Sequence, residues 1–422
     1  MLTNYYSATI GERPKRPMLD SQISAQVCVV GAGFAGLATA LGLLERGMQD
    51  VVLLEAEQVG FGASGRNGGF VFGGYSLDGA DLIKQLGPVQ AKALYRLTRE
   101  AVATIRHRIQ HHAIDCDAVD GGALWVNWFK DDNLLRRHQR LMAQHFDVHW
   151  RLIDKPELDT FVRSERYTGA LLEPDAFHFH PLKYALGEAR VIESLGGQIF
   201  EQSRVTALKP TSHGMRVSTA QGSVQAQHVV VTGGGYLHDL VPELEQAMLP
   251  IASYVAVTEP LGDALRPLIA SQAAIYDTRF AFDYYRALPD SRLLWGGRIS
   301  VRDRSPDDIA KFLKRDMLKV FPQLRDARME YAWSGLMSYA RHKMPQIGRL
   351  PNGLWHGLGF GGHGVAPTTA CGELLAGAIA HGLPLPDGVA RYGLPRTFGA
   401  AGLAMAQATY AGAQFKDWWR AP

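Results

Sequence analysis

The segment from residue 27 to residue 55 constrains this chain more than any other part of the sequence. An apolar run over 27–30 ends at Gly31, which is typical of a buried parallel strand. Apolar residues then recur at helical spacing over 34–46, and a second apolar run over 50–54 ends at Glu55. This order predicts a strand–helix–strand unit, so we expect an α/β protein built on a parallel sheet.

The glycines of this unit form the pattern G-x-G-x-x-G at Gly31, Gly33 and Gly36. In such a turn the first glycine makes the tight bend, the second lets the backbone approach a pyrophosphate, and the third lets the helix pack on the strand. The helix N-terminus adds free N–H groups and the positive end of its dipole. Glu55 lies 19 residues after Gly36, the distance at which an acid reaches ribose hydroxyls. The unit therefore predicts a dinucleotide site.

Composition narrows the class of protein further. The chain has 422 residues, enough for two domains. Lys and Arg (44) exceed Asp and Glu (41) by only three, so we expect no nucleic-acid partner. The cysteines at 28, 116 and 371 lack metal-ligand spacing and favour a reducing compartment. His178 and His180 stand two residues apart without a cluster of further ligands, which favours packing over metal binding, so we expect no metal.

The sequence patterns give no sign of a signal peptide or of a membrane-spanning stretch. The first twenty residues contain no apolar core of signal-peptide length, and no later stretch approaches 18 uncharged apolar residues. We therefore expect a cytoplasmic protein, with peripheral binding to the inner membrane as a variant of that prediction.

Residues 60–69, Gly-Phe-Gly-Ala-Ser-Gly-Arg-Asn-Gly-Gly, are too rich in glycine for a helix interior and too polar for a strand. A flexible surface loop is one interpretation. The position directly after the ribose acid favours the other, a loop lying along the cofactor, where Ser64 and Arg66 donate to phosphate or to the cofactor's ring edge.

Further elements follow from periodicity along the rest of the chain. The predicted helices lie at 81–112, 182–195, 306–320 and 365–381, and the predicted strands lie at 121–129, 147–153, 199–208, 214–219, 223–227, 228–232, 251–258, 281–288, 293–300 and 354–358.

In this order the segments resemble the amino-acid oxidase-like family of FAD-dependent oxidoreductases, and within it the branch of gamma-glutamylputrescine and L-pipecolate oxidases. The matching stretches span nearly the whole chain and lie at 27–36, 60–69, 167–172, 321–324, 344–349 and 362–365. The dinucleotide pattern is shared by many enzymes. The combination of 60–69 with Gly-His-Gly-Val at 362–365 is the specific part.

The resemblance implies FAD as cofactor and a Rossmann-like FAD-binding domain interleaved with a mixed-sheet α+β substrate domain. The FAD-binding domain would come from 1–85, 157–246 and 330–422, and the substrate domain from 86–156 and 247–329. Some relatives attach the flavin to a cysteine in the segment that matches 338–347. This chain has no cysteine there, so we expect non-covalent FAD.

The resemblance also assigns residues to parts of the cofactor. It places Gly31, Gly33 and Gly36 at the pyrophosphate, Glu55 at the adenosine ribose, and Ser64 with Arg66 at the phosphates and flavin. Val205 would meet the adenine through its backbone. A helix N-terminus would face the flavin N1 and C2 carbonyl and stabilise the negative charge of the reduced ring. That turn comprises Gly361, Gly362, His363, Gly364 and Val365.

The implied reaction is amine oxidation, in which a hydride passes from the carbon next to nitrogen to flavin N5 and leaves an imine. Such a site needs a neutral amine held close over the ring and the exclusion of water. Aromatic walls suit this, with Tyr254, Trp333 and Phe360 as candidates and simple core packing as the alternative. His363 is a candidate for polarising the flavin or the substrate, with turn stabilisation as the alternative.

Arg298 is the candidate for substrate selection. An arginine pointing inward from a substrate-domain strand would bind a carboxylate through two parallel hydrogen bonds, whereas a surface salt bridge is the alternative. We therefore expect a secondary or cyclic amino acid, such as a pipecolate-like imino acid. The alternatives are gamma-glutamylputrescine or another polyamine-derived amine, and, in another class, a non-catalytic or tRNA-modifying flavoprotein.

The electron acceptor is the last open point. Sarcosine oxidases place a lysine over the flavin, and the comparable strand at 292–300 contains none. The sequence therefore leaves both oxygen and a respiratory electron acceptor as partners.

Overall fold

The computed structural model describes residues 4–129 and 131–420. Its helices are α1 (Tyr5–Thr9), α2 (Phe34–Glu45), α3 (Gly79–Leu86), α4 (Pro88–His111), α5 (Asp132–Phe146), α6 (Lys155–Leu158), α7 (Pro181–Ser194), α8 (Pro242–Glu245), α9 (Pro306–Val320), α10 (Val365–His381), α11 (Asp387–Ala390) and α12 (Gly399–Arg420). Short 3-10 turns lie at Ala63–Gly65, Gly234–Tyr236, Gly262–Ala264 and Pro322–Leu324.

The strands alternate with these helices along the chain. They are β1 (Gln22–Val30), β2 (Val51–Leu54), β3 (Phe70–Val71), β4 (Ala123–Val126), β5 (Arg151–Asp154), β6 (Gly169–Glu173), β7 (Phe177–His178), β8 (Gln198–Phe200), β9 (Ala207–Thr211), β10 (Gly214–Ser218), β11 (Ser223–Val231), β12 (Met248–Thr258), β13 (Ala274–Asp277), β14 (Tyr284–Ala287), β15 (Leu293–Ser300), β16 (Met329–Ala340), β17 (Gln346–Arg349) and β18 (Trp355–Leu358).

The first large sheet carries the predicted strand–helix–strand unit. Its order is β17-β18-β11-β1-β2-β8, and β9 and β10 extend it as an antiparallel pair beside β11. The central strands are parallel, with Val30 in register with both Leu54 and Val231. Because parallel strands end at the same edge, the turn after β1 lies beside the ends of β2 and β11. The α/β prediction is confirmed.

Helix α2 lies between the first sheet and α10, and all but its last residue are buried. Close packing of the two helices depends on Gly372, where a Cβ atom would lie 2.6 Å from the Ala38 backbone carbon. The resulting core is shared by α2, α4, α7 and α10. This packing fixes α2, whose N-terminus faces the nucleotide site.

The second large sheet has the order β16-β12-β15-β14-β13-β4-β6-β5. Its pairs are antiparallel except for β13 with β4, which are parallel. Helix α9 packs on β12 and β16 and buries a separate apolar cluster. The sheet is mixed, as expected for the predicted α+β substrate domain. Strands β6 and β16 belong to this sheet. The predicted boundaries instead assign the residues of these strands that lie within 157–246 and 330–422 to the FAD-binding domain.

Several helices and strands of the structure begin or end at residues other than those predicted. The helix predicted over 81–112 is divided into α3 and α4 at Gly87, whose φ of +78° suits glycine. The sequence patterns did not predict β16 or α12. In the part of the chain that the structure describes, no helix is both long enough and apolar enough to cross a membrane.

Candidate active site

A deep cavity of about 930 Å³ runs from the turn after β1 to the second sheet. The loop 60–68, the end of β11, the last residues of β16 and the turn 360–366 line it, and residues of α12 close its far side. The cavity therefore joins the nucleotide site to the sheet of the predicted substrate domain.

The glycine turn forms the first wall of this cavity. Gly31 has a φ of +106°, and its N–H donates to the carbonyl of Leu54 at 2.8 Å. Gly33 precedes α2 without a side-chain cap, and the Ser64 Oγ accepts from the N–H of Phe34 at 2.9 Å. Gly31, Gly33 and Ser64 line the cavity, whereas Gly36 does not. Gly36 acts by packing, because a Cβ atom there would lie 1.9 Å from the Gly31 carbonyl oxygen.

Glu55 stands at the end of β2 and lines the same cavity. Its two carboxylate oxygens accept from the N–H groups of Ala32 at 2.7 Å and Glu57 at 2.9 Å. Burial raises the pKa of this carboxyl, and the two N–H donors oppose the rise by stabilising its charged form. Each oxygen keeps a lone pair for a hydroxyl donor, so the group is suited to a ribose.

Arg66 lies in the loop after β2, where its guanidinium packs 4.8 Å from the Phe61 ring centre and donates to the Ser334 carbonyl at 3.2 Å. Trp333 is fully buried and donates from Nε1 to the Arg66 carbonyl at 2.9 Å. Trp333 does not line the cavity and packs in the core, which corresponds to the core-packing alternative to the predicted substrate wall. Through its Nε1 hydrogen bond, Trp333 holds the loop that contains Arg66 against β16.

The C-terminal glycine turn forms the opposite wall. The residues of this turn, Gly361, Gly362, His363, Gly364 and Val365, all line the cavity, as does Val205. Helix α10 begins at Val365, and Gly364 before it gives no side-chain cap. The N-terminus of α10 is thereby presented toward the cavity, as the resemblance implied.

His363 is tied to the neighbouring backbone. Its Nε2 lies 2.9 Å from the Gly73 carbonyl, and its backbone N–H donates to Ser76 Oγ at 3.2 Å. The ring packs edge-on against Phe72, with ring centres 4.3 Å apart. Burial lowers the pKa of His363 to about 4, so the ring is neutral at pH 7 and donates from Nε2. These contacts make His363 a positioning residue for the turn and for Phe72.

Tyr254 lies on the wrong side of its strand for the predicted role. Ser253 and Val255 line the cavity, so the alternation of a strand directs Tyr254 to the opposite face. There it is 2% exposed, and its hydroxyl donates to the Arg302 carbonyl at 2.6 Å. Tyr254 is therefore a core residue of the second sheet, which corresponds to the core-packing alternative rather than to a substrate wall.

Arg298 reaches the cavity, but its guanidinium is engaged elsewhere. Nε and Nη2 donate to the two oxygens of Asp316 at 2.5 and 3.0 Å. Asp316 also accepts from Lys319 at 2.9 Å, and its side chain is 3% exposed. Because both prongs of the arginine bind an internal carboxylate, the structure places Arg298 in a salt bridge, the alternative to the predicted contact with the substrate's carboxylate.

Sequence reasoning missed a group of aromatic side chains that lines the cavity. Neighbouring members form a closed series of five contacts, with ring centres 5.3 to 6.3 Å apart. We call this group the aromatic cage, and its members are Phe70, Phe72, Tyr276, Phe282 and Tyr284.

Two glycines make room for one ring of the cage. A Cβ atom on Gly68 or Gly296 would lie 2.6 or 2.1 Å from the Tyr284 ring. The alternating aromatics at 280, 282 and 284 were a signal that these side chains share a face. Phe360, the third aromatic candidate, also lines the cavity.

The residues present fit FAD. Two helix N-termini, those of α2 and α10, open into one cavity without side-chain caps, and both favour negative charge. The carboxylate of Glu55 lies in the same cavity beside the first of them. Bound FAD supplies a flavin ring that accepts a hydride.

Comparison with known proteins shows the family of this chain. The model of the FAD dependent oxidoreductase family matches residues 26–378. Gamma-glutamylputrescine oxidoreductase of Escherichia coli (strain K12) is 39% identical over 376 residues, which cover 89% of this chain and 88% of that protein. The probable oxidoreductase OrdL of Haemophilus influenzae is 34% identical over 89% of this chain and 88% of its own length.

A solved structure supports the fold. Glycine oxidase from Geobacillus kaustophilus superposes with a TM-score of 0.73 at 20% identity, over 89% of this chain and 99% of that one. The chain therefore belongs to the FAD dependent oxidoreductase family. It is an FAD-dependent amine or amino-acid oxidoreductase, which confirms the predicted cofactor and enzyme class.

Proposed function

We propose that this protein oxidises the primary amine of a diamine derivative of the gamma-glutamylputrescine type. The observation that carries the proposal is the aromatic cage, a group of five uncharged rings that lines one part of the cavity. An aromatic face attracts a cationic or developing cationic nitrogen without holding a proton on it as a carboxylate does. The second support is the name of the 39% identical relative, a gamma-glutamylputrescine oxidoreductase.

The cage suits the charge change of amine oxidation. A neutral amine that loses a hydride from the adjacent carbon becomes an iminium cation, so positive charge grows on nitrogen. Aromatic rings beside that nitrogen would stabilise the charge more in the transition state than in the neutral amine. The cage also presents apolar surface to the cavity, which disfavours water beside the reacting carbon. Hydrolysis of the imine would then follow after its release from the cage.

The ion pair between Arg298 and Asp316 favours the same substrate class. A small amino acid, whose carboxylate is next to the amine, needs a free cation near the cage. Two arginines that line the cavity, Arg279 and Arg298, already bind aspartates. A substrate whose carboxylate lies far from its amine avoids that requirement. This replaces the pipecolate-like substrate that the sequence favoured.

A substrate panel tests the proposal. We expect gamma-glutamylputrescine to bleach the flavin in anaerobic stopped-flow mixing far faster than pipecolate, N-methyl amino acids or glycine. Faster bleaching by pipecolate would overturn the proposal and restore the imino-acid assignment.

A matched pair of variants tests the cage itself. Phe282 lines the cavity and is 39% exposed, and Phe415 lies outside it and is 63% exposed. Phe282→Leu should lower kcat/KM for the amine about 2- to 30-fold, the range of a cation–π contact of about 0.5 to 2 kcal/mol. Phe415→Leu should leave kcat/KM unchanged. Equal effects of the two variants would remove the cage from the mechanism.

The proposal leaves two electron acceptors open, molecular oxygen and a respiratory acceptor. Lys343 is the one lysine among the described residues that line the cavity, and it lies on a turn rather than on β15. Reoxidation of the reduced enzyme in air decides the acceptor. Rapid recovery of colour with peroxide indicates an oxidase, and slow recovery indicates a respiratory acceptor.

The cellular location also stays a prediction. We infer a cytoplasmic protein, with peripheral binding to the inner membrane as the variant that cell fractionation tests. Recovery in the supernatant at low ionic strength supports the first. Sedimentation with the membranes, reversed by salt, supports the second.

A further inference from the structure

Three of the cations that line the cavity are already paired. Arg204 binds Glu57 at 3.0 Å, Arg279 binds Asp277 and Asp283, and Arg298 binds Asp316. Arg66 belongs to the loop after β2 and donates to a backbone carbonyl. These four cations therefore have partners within the chain.

Arg341 and Lys343 are different. Both are exposed and line the cavity. In the described residues, no carboxylate lies within 4.0 Å of either side chain, and this includes the acids of the same cavity, Glu55, Glu57, Asp78 and Asp81. Aromatic rings hold the two cations instead, with Arg341 5.8 Å from the Phe398 ring centre and Lys343 5.4 Å from that of Phe280.

The turn that carries them is fixed in the fold. Lys343 has a φ of +61°, and its N–H donates to the Ala340 carbonyl at 3.0 Å, at the end of β16. Residues 337–340 of the same strand line the cavity beside the glycine turn, where the Gly361 N–H donates to the Ser338 carbonyl at 2.7 Å. A non-glycine residue at positive φ is strained and persists where its surroundings require it.

One of the two cations, Lys343, packs against the loop that leads into the aromatic cage. Phe280, whose ring contacts the Lys343 ammonium group, stands two residues before Phe282 of the cage. The cage and the two cations line the same cavity. A molecule that carries an amine at one end and an anion at the other would match both groups.

We propose that Arg341 and Lys343 form the subsite for the carboxylate at the substrate end opposite the amine. The arginine fork matches the two oxygens of a carboxylate, and the lysine adds a second positive charge. This inference rests on the function proposed above. It names the residues that distinguish an acidic diamine derivative from a neutral one.

Two substrates with the same amine test the subsite. Gamma-glutamylputrescine carries the distal carboxylate, and N-acetylputrescine has the same diamine and amide without it. The measurement is the apparent Kd and the limiting rate of flavin reduction in anaerobic stopped-flow mixing, with Arg341→Ala, Lys343→Ala and the double variant. Arg315→Ala is the matched control, because Arg315 is exposed, lies 5.5 Å from the Phe312 ring centre and does not line the cavity.

We expect the wild-type enzyme to bind gamma-glutamylputrescine more tightly than N-acetylputrescine. Each single variant should reduce this preference about three- to tenfold, the range for partly solvated charged contacts, and the double variant should nearly abolish it. The limiting rate with gamma-glutamylputrescine should change less than twofold, which separates binding from chemistry. Arg315→Ala should preserve the preference.

Two results would overturn the inference in different ways. An unchanged preference in the double variant, with both amines reducing the flavin, rejects the subsite and leaves the proposed function standing. A wild-type enzyme that neither amine reduces rejects the proposed function and the subsite together.

Discussion

Replacing Arg298 by leucine is expected to destabilise the fold rather than to weaken substrate binding. The variant removes two hydrogen bonds from Asp316, a carboxylate with 3% of its side chain exposed. Loss of one partner from a buried ion pair typically costs 3 to 5 kcal/mol. Lys319 stays bound to Asp316 and is half exposed, so the cost is reduced to about 2 to 3 kcal/mol.

Urea unfolding of the FAD-loaded protein, followed by tryptophan fluorescence, measures this loss. The double variant Arg298→Leu with Asp316→Leu is the control, because it leaves no buried charge unpaired. It should recover most of the free energy of unfolding. Arg298→Leu should leave the apparent Kd for gamma-glutamylputrescine within about twofold of wild type, because the guanidinium already binds Asp316.

The pH dependence gives an independent check. Hydrogen bonds from Arg298 and Lys319 lower the pKa of Asp316 below its ordinary value of 3.8. A carboxyl whose folded pKa is depressed contributes stability above its unfolded pKa and loses that contribution as pH falls through the folded pKa. The difference between wild type and variant should be complete at pH 7 and shrink below pH 3.8. Unchanged stability with a more than tenfold weaker affinity for the amine would refute the reasoning.

Three further variants and one measurement on the native protein extend these tests. Gly36→Val should abolish flavin retention, measured as the ratio of flavin to protein absorbance, since its Cβ would lie 1.9 Å from the Gly31 carbonyl oxygen. Ser64→Ala removes the acceptor for the Phe34 N–H and should weaken FAD binding about 2- to 30-fold in a flavin fluorescence titration; an unchanged affinity would contradict a capping role. Burial raises the pKa of Glu173 from 4.5 to about 8, so wild type loses stability as pH rises through this window. The advantage of Glu173→Gln in thermal unfolding should therefore grow from pH 5 to pH 8, and parallel pH profiles would argue against a buried neutral acid. Acid precipitation should release all flavin into the supernatant, and yellow colour in the pellet would indicate covalent attachment.

The sequence by itself determined the parts of this protein that depend on neighbours along the chain. The strand–helix–strand unit at the start follows from apolar runs and glycines within about 30 residues, the size of such a unit. Helices α9 and α10 begin and end where periodicity predicts them. The glycine turn, Glu55 and Ser64 could be assigned to one site because local geometry places them at the same sheet edge.

Only the tertiary structure decided which faces and partners the remaining side chains have. Alternation says that Tyr254 and its neighbours point to opposite faces, but the packing of α9 decides which face is the core. Arg298 could not be assigned from its own strand, because its partner Asp316 lies on α9. Phe72 and Tyr276 of the aromatic cage are 204 residues apart in the chain and stack with ring centres 5.3 Å apart. Contacts between such distant segments depend on how the two sheets pack, and periodicity within one segment carries no information about the other.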